Sequence, residues 1–249
     1  MQGDQYHRQP HPFTQRRRIN NPNNMLMKRF LCLLLLFGLY PVTWLYGQDE
    51  LGSSFQLAIS KKIVPGLTIS LEEDLRLREN LGSVDRFSTT IDLSYRFCEY
   101  LKIGGAYNLI NYNHPKKDWE VRHRYYFYAT GALRFNRFTL SLRERFQSTY
   151  RVGVEETEKR ANPKLYLRSR IELQYDIRKS GFEPFFSVEL YNTLNDPQGN
   201  ALDRVRYTGG TQYKLNKRHA LQLFYRYISY ADDEEASTHM IGLGYSFKF

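Results

Sequence analysis

Arg122-His-Arg124, Arg143-Glu-Arg145, Arg168-Ser-Arg170 and Arg204-Val-Arg206 set guanidiniums at alternate positions, and Arg96 and Arg226 occupy the same stripe of the pattern. A guanidinium stays charged at any physiological pH, and its planar fork of donors grips a carboxylate or a phosphate at two points. With Arg76, Arg78 and Arg86 the stripe holds thirteen arginines, against seven acids: Glu72, Asp74, Asp92, Glu120, Glu172, Asp176 and Glu189. Two kinds of chemistry are open to such a set. Paired with the acids, the arginines form a ladder of cross-strand ion pairs that fills an enclosed space and fixes its register. Their surplus leaves a net positive field that attracts small anionic solutes.

Other chemistry-bearing residues are sparser. His123 and His239 fall on the opposite, apolar stripe, and a lipid-modifying hydrolase built on them would need a nucleophile and an orienting group within reach. No local serine motif accompanies them, so the hydrolase stands as an alternative and the chain is not expected to be an enzyme. Asp232, Asp233, Glu234 and Glu235 lack the spaced ligands and central glycine of an EF-hand loop. No metal or other cofactor is expected.

The elements that position the arginines are strands. From Leu51 onward apolar and polar residues alternate with a period of two, which puts them on opposite faces of a strand. Leu165, Leu167, Ile171, Leu173 and Tyr175 point one way, for example, and Arg168, Arg170, Glu172 and Gln174 the other. Eleven such segments can be counted. Their connections alternate between tight (61–66, 98–100, 133–137, 178–181, 216–219) and longer (78–85, 111–118, 149–163, 192–203, 229–236). Short turns at one rim and long loops at the other are the habit of outer-membrane barrels, as are strands of 9 to 13 residues. Glu73 and Glu144 fall on the apolar stripe, where a mid-membrane charge is costly, and are expected near an interface or at a slip in register.

Composition agrees with that architecture. Tyr (20) and Phe (16) are abundant, and a mean hydropathy of −0.59 is no obstacle, because only every second strand residue of a barrel meets lipid. Residues 25–47 read as a signal peptide: Met27-Lys-Arg29, then an apolar run beginning at Phe30, then Gly47 before Gln48. Residues 1–24 are a polar, Pro-containing extension or an over-long start, and residues 48–249 are the barrel. Residues 1–47 carry six Lys/Arg against one acid, so losing them halves the net charge of +10 and removes most of the case for nucleic acid. Cys98 is the one cysteine beyond that segment, which permits no internal disulfide.

The terminal strand carries Ile241, Leu243, Tyr245, Phe247 and Phe249 on one face. It resembles the C-terminal strand of bacterial outer-membrane barrels that the barrel-insertion machinery reads. The runs Leu165–Tyr175, Pro184–Tyr191, Arg204–Leu215 and Leu221–Tyr227 are similar to a family of bacterial outer-membrane barrels known only as a domain of unknown function. That resemblance implies fold and location and carries no activity with it. The expectation is therefore an all-β protein: a single closed, antiparallel, up-and-down transmembrane β-barrel of ten to twelve strands, twelve preferred. Single-chain bacterial barrels have even strand numbers, so the Leu51 segment is expected to need a further partner. Outer-membrane lipids, the insertion machinery and a small anionic solute are the expected partners, and the lumen is expected to carry Arg96, Arg122, Arg124, Arg143, Arg145, Arg168, Arg170, Glu172, Glu189, Arg204, Arg206 and Arg226.

Overall fold

The computed structural model describes residues 50–115, 118–232 and 236–249. The expected extension (1–24), the signal peptide (25–47) and most of the acidic run at 232–235 lie outside the described residues. The described chain closes as one barrel of eleven strands: β1 Glu50–Val64, β2 Leu67–Arg78, β3 Ser83–Arg96, β4 Leu101–Asn113, β5 Trp119–Phe135, β6 Phe138–Arg151, β7 Lys164–Tyr175, β8 Phe182–Thr193, β9 Leu202–Lys214, β10 His219–Tyr230 and β11 Thr238–Lys248. Each strand pairs antiparallel with the next, and the wall shuts where β1 meets β11.

That closure corrects the expected strand count. An up-and-down wall with an odd number of strands has its first and last strands running the same way, and β1 and β11 are indeed parallel, in unbroken register from Glu50↔Thr238 to Ser60↔Lys248. The Leu51 segment thus needs no twelfth strand, because β11 is its partner. The last strand is held on both sides: Phe249 N–H donates to the Ser60 carbonyl at 2.9 Å and Lys248 N–H to the Arg218 carbonyl at 2.8 Å.

Turn chemistry sets the short rim. Pro65-Gly66 bends back with Gly66 at φ +88°, a left-handed conformation that favours glycine, and the Gly66 carbonyl accepts Arg96 N–H from the next hairpin at 2.9 Å. All five tight connections gather at this rim, with the exposed Cys98 in one of them. Strands run further than the alternation suggested, β5 reaching Phe135 and β6 reaching Arg151.

The barrel buries its polar stripe and exposes its apolar one. Ser54, Ser88, Thr90, Gln147, Arg168, Ser187, Glu189 and Thr208 are buried, whereas Phe127, Ile171, Phe186, Leu223 and Ile241 are each more than half exposed. Aromatic rings gird the short rim in contacting sets, Tyr95 with Phe97, Phe138 with Phe135 and Tyr175, and Phe247 with His219 and Phe249. Ile241, Leu243, Tyr245, Phe247 and Phe249 share this outer face.

Glu73 and Glu144 stand outward near the middle of their strands with no slip in the ladder there, so of the two expectations for them the slip in register does not hold. Each is matched by a hydroxyl on the neighbouring strand: Thr89 Oγ1 donates to Glu73 at 2.9 Å and Ser169 Oγ to Glu144 at 2.7 Å. A hydrogen bond to a directly opposed side chain lowers the cost of a polar group on an apolar wall.

Candidate functional site

The register assembles the arginines into rows across the inner wall. One row runs Arg145, Arg168, Tyr191, Arg204, Tyr230 over β6 to β10, and the next runs Arg143, Arg170, Glu189, Arg206, Ile228. Four arginine pairs sit directly opposite each other: Arg145 with Arg168, Arg143 with Arg170, Arg76 with Arg86, and Arg122 with Arg151. Like charges directly opposed weaken a sheet. A ladder built for stability alone would set acids against them.

Glu189 is the chief compensation. Buried on β8, its carboxylate reaches Arg143 at 2.7 Å, Arg168 at 2.8 Å and Arg206 at 3.4 Å, and Tyr191 donates its hydroxyl to it at 3.2 Å. Asp74 plays a smaller version of the role, accepting Arg76 Nε at 2.7 Å and Ser54 Oγ at 2.7 Å. The other pairs are local: Arg122 with Glu120 and Arg86 with Asp85 at 2.6 Å, Arg204 with Asp203 at 3.0 Å, and Arg170 with Glu172 at 3.5 Å. Sequence alone did not reveal the tyrosines as supports. Arg122 lies 3.7 Å over the Tyr112 ring, Arg145 4.0 Å over Tyr126 and Arg168 4.2 Å over Tyr191, so the rings fix guanidinium planes by cation–π contact. The alternation did place Tyr126 and Tyr191 on the arginine face, which was the available signal.

These side chains surround a cavity of about 520 Å³. Of the twelve residues expected there, Arg124, Arg143, Arg145, Arg168, Arg170, Glu172, Glu189, Arg204, Arg206 and Arg226 line it. Arg122 faces inward beside Glu120 but is not among the lining residues, and Arg96 stands exposed at the short rim opposite Lys102. Arg76 and Arg86 line the cavity as well, and eleven arginines face seven carboxylates around it. His123 and His239 lie elsewhere, on the outer wall, each hydrogen-bonded through Nδ1 to a tyrosine hydroxyl, Tyr107 and Tyr225.

Fold and lumen together define a closed β-barrel with an apolar exterior and an arginine-rich interior. The family described as "Protein of unknown function (DUF2490)" matches residues 52–238, and the chain belongs to that family. No curated protein matches the sequence. Among solved structures the chain is similar in fold to the NanC porin, with 13% identity and a TM-score of 0.53 over 80% of this chain and 99% of that one. Two further structures overlap it more loosely. The KdgM porin in complex with disordered oligogalacturonate gives 15% identity and a TM-score of 0.45 over 70% and 83% of the two chains, and the beta domain of the Bordetella autotransporter BrkA gives 12% and 0.45 over 76% and 86%.

Proposed function

We propose that the protein is an integral outer-membrane barrel whose lumen forms a narrow, anion-selective channel. The observation that carries this reading is the surplus of lining arginines, eleven against seven carboxylates, set partly in directly opposed pairs whose repulsion costs stability. A positive field inside low-dielectric walls concentrates anions and repels cations. The fold shared with a porin and the apolar band on the outer wall support the membrane placement.

In planar bilayers across a potassium chloride gradient, the purified barrel is expected to show a reversal potential of the sign given by chloride permeation. Cation selectivity, or no conductance at all, would refute the channel. The placement has its own test. Ile171 lies outward near the middle of β7, so Ile171→Arg should destabilise the folded barrel in lipid by about 2–4 kcal/mol, the cost of a cation near a bilayer midplane. An Ile171→Arg barrel as stable as the parent in vesicles would show that this face does not meet hydrocarbon. The outward Ile241, Leu243, Tyr245, Phe247 and Phe249 would serve the insertion machinery during assembly, and Phe249→Ala should reduce the fraction of protein recovered folded in the outer membrane.

A further inference from the structure

Eight of the eleven arginines around the cavity have a carboxylate partner: Arg143, Arg168 and Arg206 share Glu189, and the remaining five pair with acids on their own strand or at its rim. Three do not. Among the described residues Arg124, Arg145 and Arg226 make no ion pair, and each is oriented only by neutral groups. Arg124 donates Nε to Thr149 Oγ1 at 3.2 Å. Arg226 donates Nε to Thr208 Oγ1 at 3.4 Å and lies 4.6 Å over the Phe224 ring. Arg145 is stacked on Tyr126, and its buried Nε has no acceptor among the described residues. An enclosed guanidinium with no carboxylate in contact is unfavourable. Here the three are held by ring or by Nε, and among the described residues the one contact to a terminal nitrogen is Arg226 Nη1 to Met240 Sδ at 3.8 Å, a weak acceptor that an oxyanion gripped at two points would displace. All three line the same cavity, Arg124 from β5, Arg145 from β6 and Arg226 from β10.

We propose that Arg124, Arg145 and Arg226 form a binding site for one compact polyanion, a molecule carrying at least two carboxylate or phosphate groups. The cavity of about 520 Å³ is of small-molecule size. A single monovalent ion would leave most of the three guanidiniums without an anion in contact, whereas two or three anionic groups on one molecule answer them together. The inference rests on the lumen reading above but not on conduction, since a bound polyanion can plug a barrel as readily as cross it.

The test uses the full barrel in detergent, with citrate and pyrophosphate as polyanion probes and acetate and chloride as monovalent ones at equal ionic strength. The readout is the temperature at which the compact, fast-migrating gel band is lost. Citrate or pyrophosphate should raise that temperature saturably at concentrations where acetate and chloride do nothing, and the stronger of the two arms tells carboxylate from phosphate ligands. Arg124→Gln, Arg145→Gln and Arg226→Gln should each weaken the effect at least tenfold in concentration, while Arg96→Gln, outside the cavity, leaves it unchanged. Without probe the three variants should melt no lower than the parent, because each removes an enclosed charge that has no carboxylate in contact; arginines with a purely structural role would melt lower. No saturable polyanion effect on the parent, or an undiminished one in all three variants, overturns the proposal. Binding without bilayer current would retain the site and refute the channel; anion current with no polyanion effect would do the reverse.

Discussion

Glu189→Ala should lower the unfolding free energy of the barrel by roughly 3–5 kcal/mol, the usual result of removing one partner from a buried charge network. Three guanidiniums from three strands converge on this carboxylate, at 2.7, 2.8 and 3.4 Å. With it gone, the inner wall of β6, β7 and β9 keeps Arg143, Arg145, Arg168, Arg170 and Arg206, of which Arg170 alone retains an ion pair, to Glu172, among the described residues. Glu189→Gln retains the volume and part of the hydrogen bonding, so it should fall between the parent and the alanine variant. The measurement is the melting of the compact gel band, or a urea titration followed by tryptophan fluorescence in detergent. Coincident curves for parent and Glu189→Ala would show that the arginines do not depend on this counter-charge.

Phe224→Ala should cost a similar amount, about 3–5 kcal/mol, by a different route. Phe224 is 3% exposed and stands between two glycines in the register, Gly210 on β9 and Gly242 on β11. A side chain at Gly242 would overlap the Phe224 ring, and one at Gly210 would press on the β10 backbone, so the ring fills the hollow that the two glycines leave. Removing it empties that hollow and takes away the surface over which Arg226 lies. Gly242→Ala alone should destabilise by crowding the ring, by about 1–3 kcal/mol. The double variant should lose less than the sum of the two, because each change relieves the other; strict additivity would deny the contact.

Period-two alternation carried much of this architecture in the sequence, because it is a local property. Which side chains of β7 or β10 face inward follows from pleating alone, and the arginine stripe duly lies on the buried face. Tight turns announced themselves through Pro65-Gly66 and Lys179-Ser-Gly181. Closure was not legible: the parallel seam is a relation between Glu50 and Thr238, and no local pattern shows that β1 returns to β11 rather than to a further strand. Glu189 was recognisable as an inward acid, but its sharing by Arg143, Arg168 and Arg206 depends on cross-strand register and on reach past the adjacent strand. That Glu73 and Glu144 need no slip in register was hidden for the same reason, since the hydroxyls that satisfy them belong to other strands. Strand ends ran long at β5 and β6 because pairing at a rim continues wherever the neighbour extends, whatever the polarity of the side chains.

Because β1 and β11 run in the same direction, the start of the first strand and the end of the last lie on opposite rims. In most domains the two ends sit close together and can be spliced so that the chain opens elsewhere. Here such a splice would have to cross an apolar band on the order of 25 Å tall. Along the outside, in the membrane placement proposed above, its peptide groups would meet hydrocarbon with no hydrogen-bonding partners. Along the inside, it would thread past the arginines, so this wall tolerates being opened at a loop only if the two original ends are left unjoined.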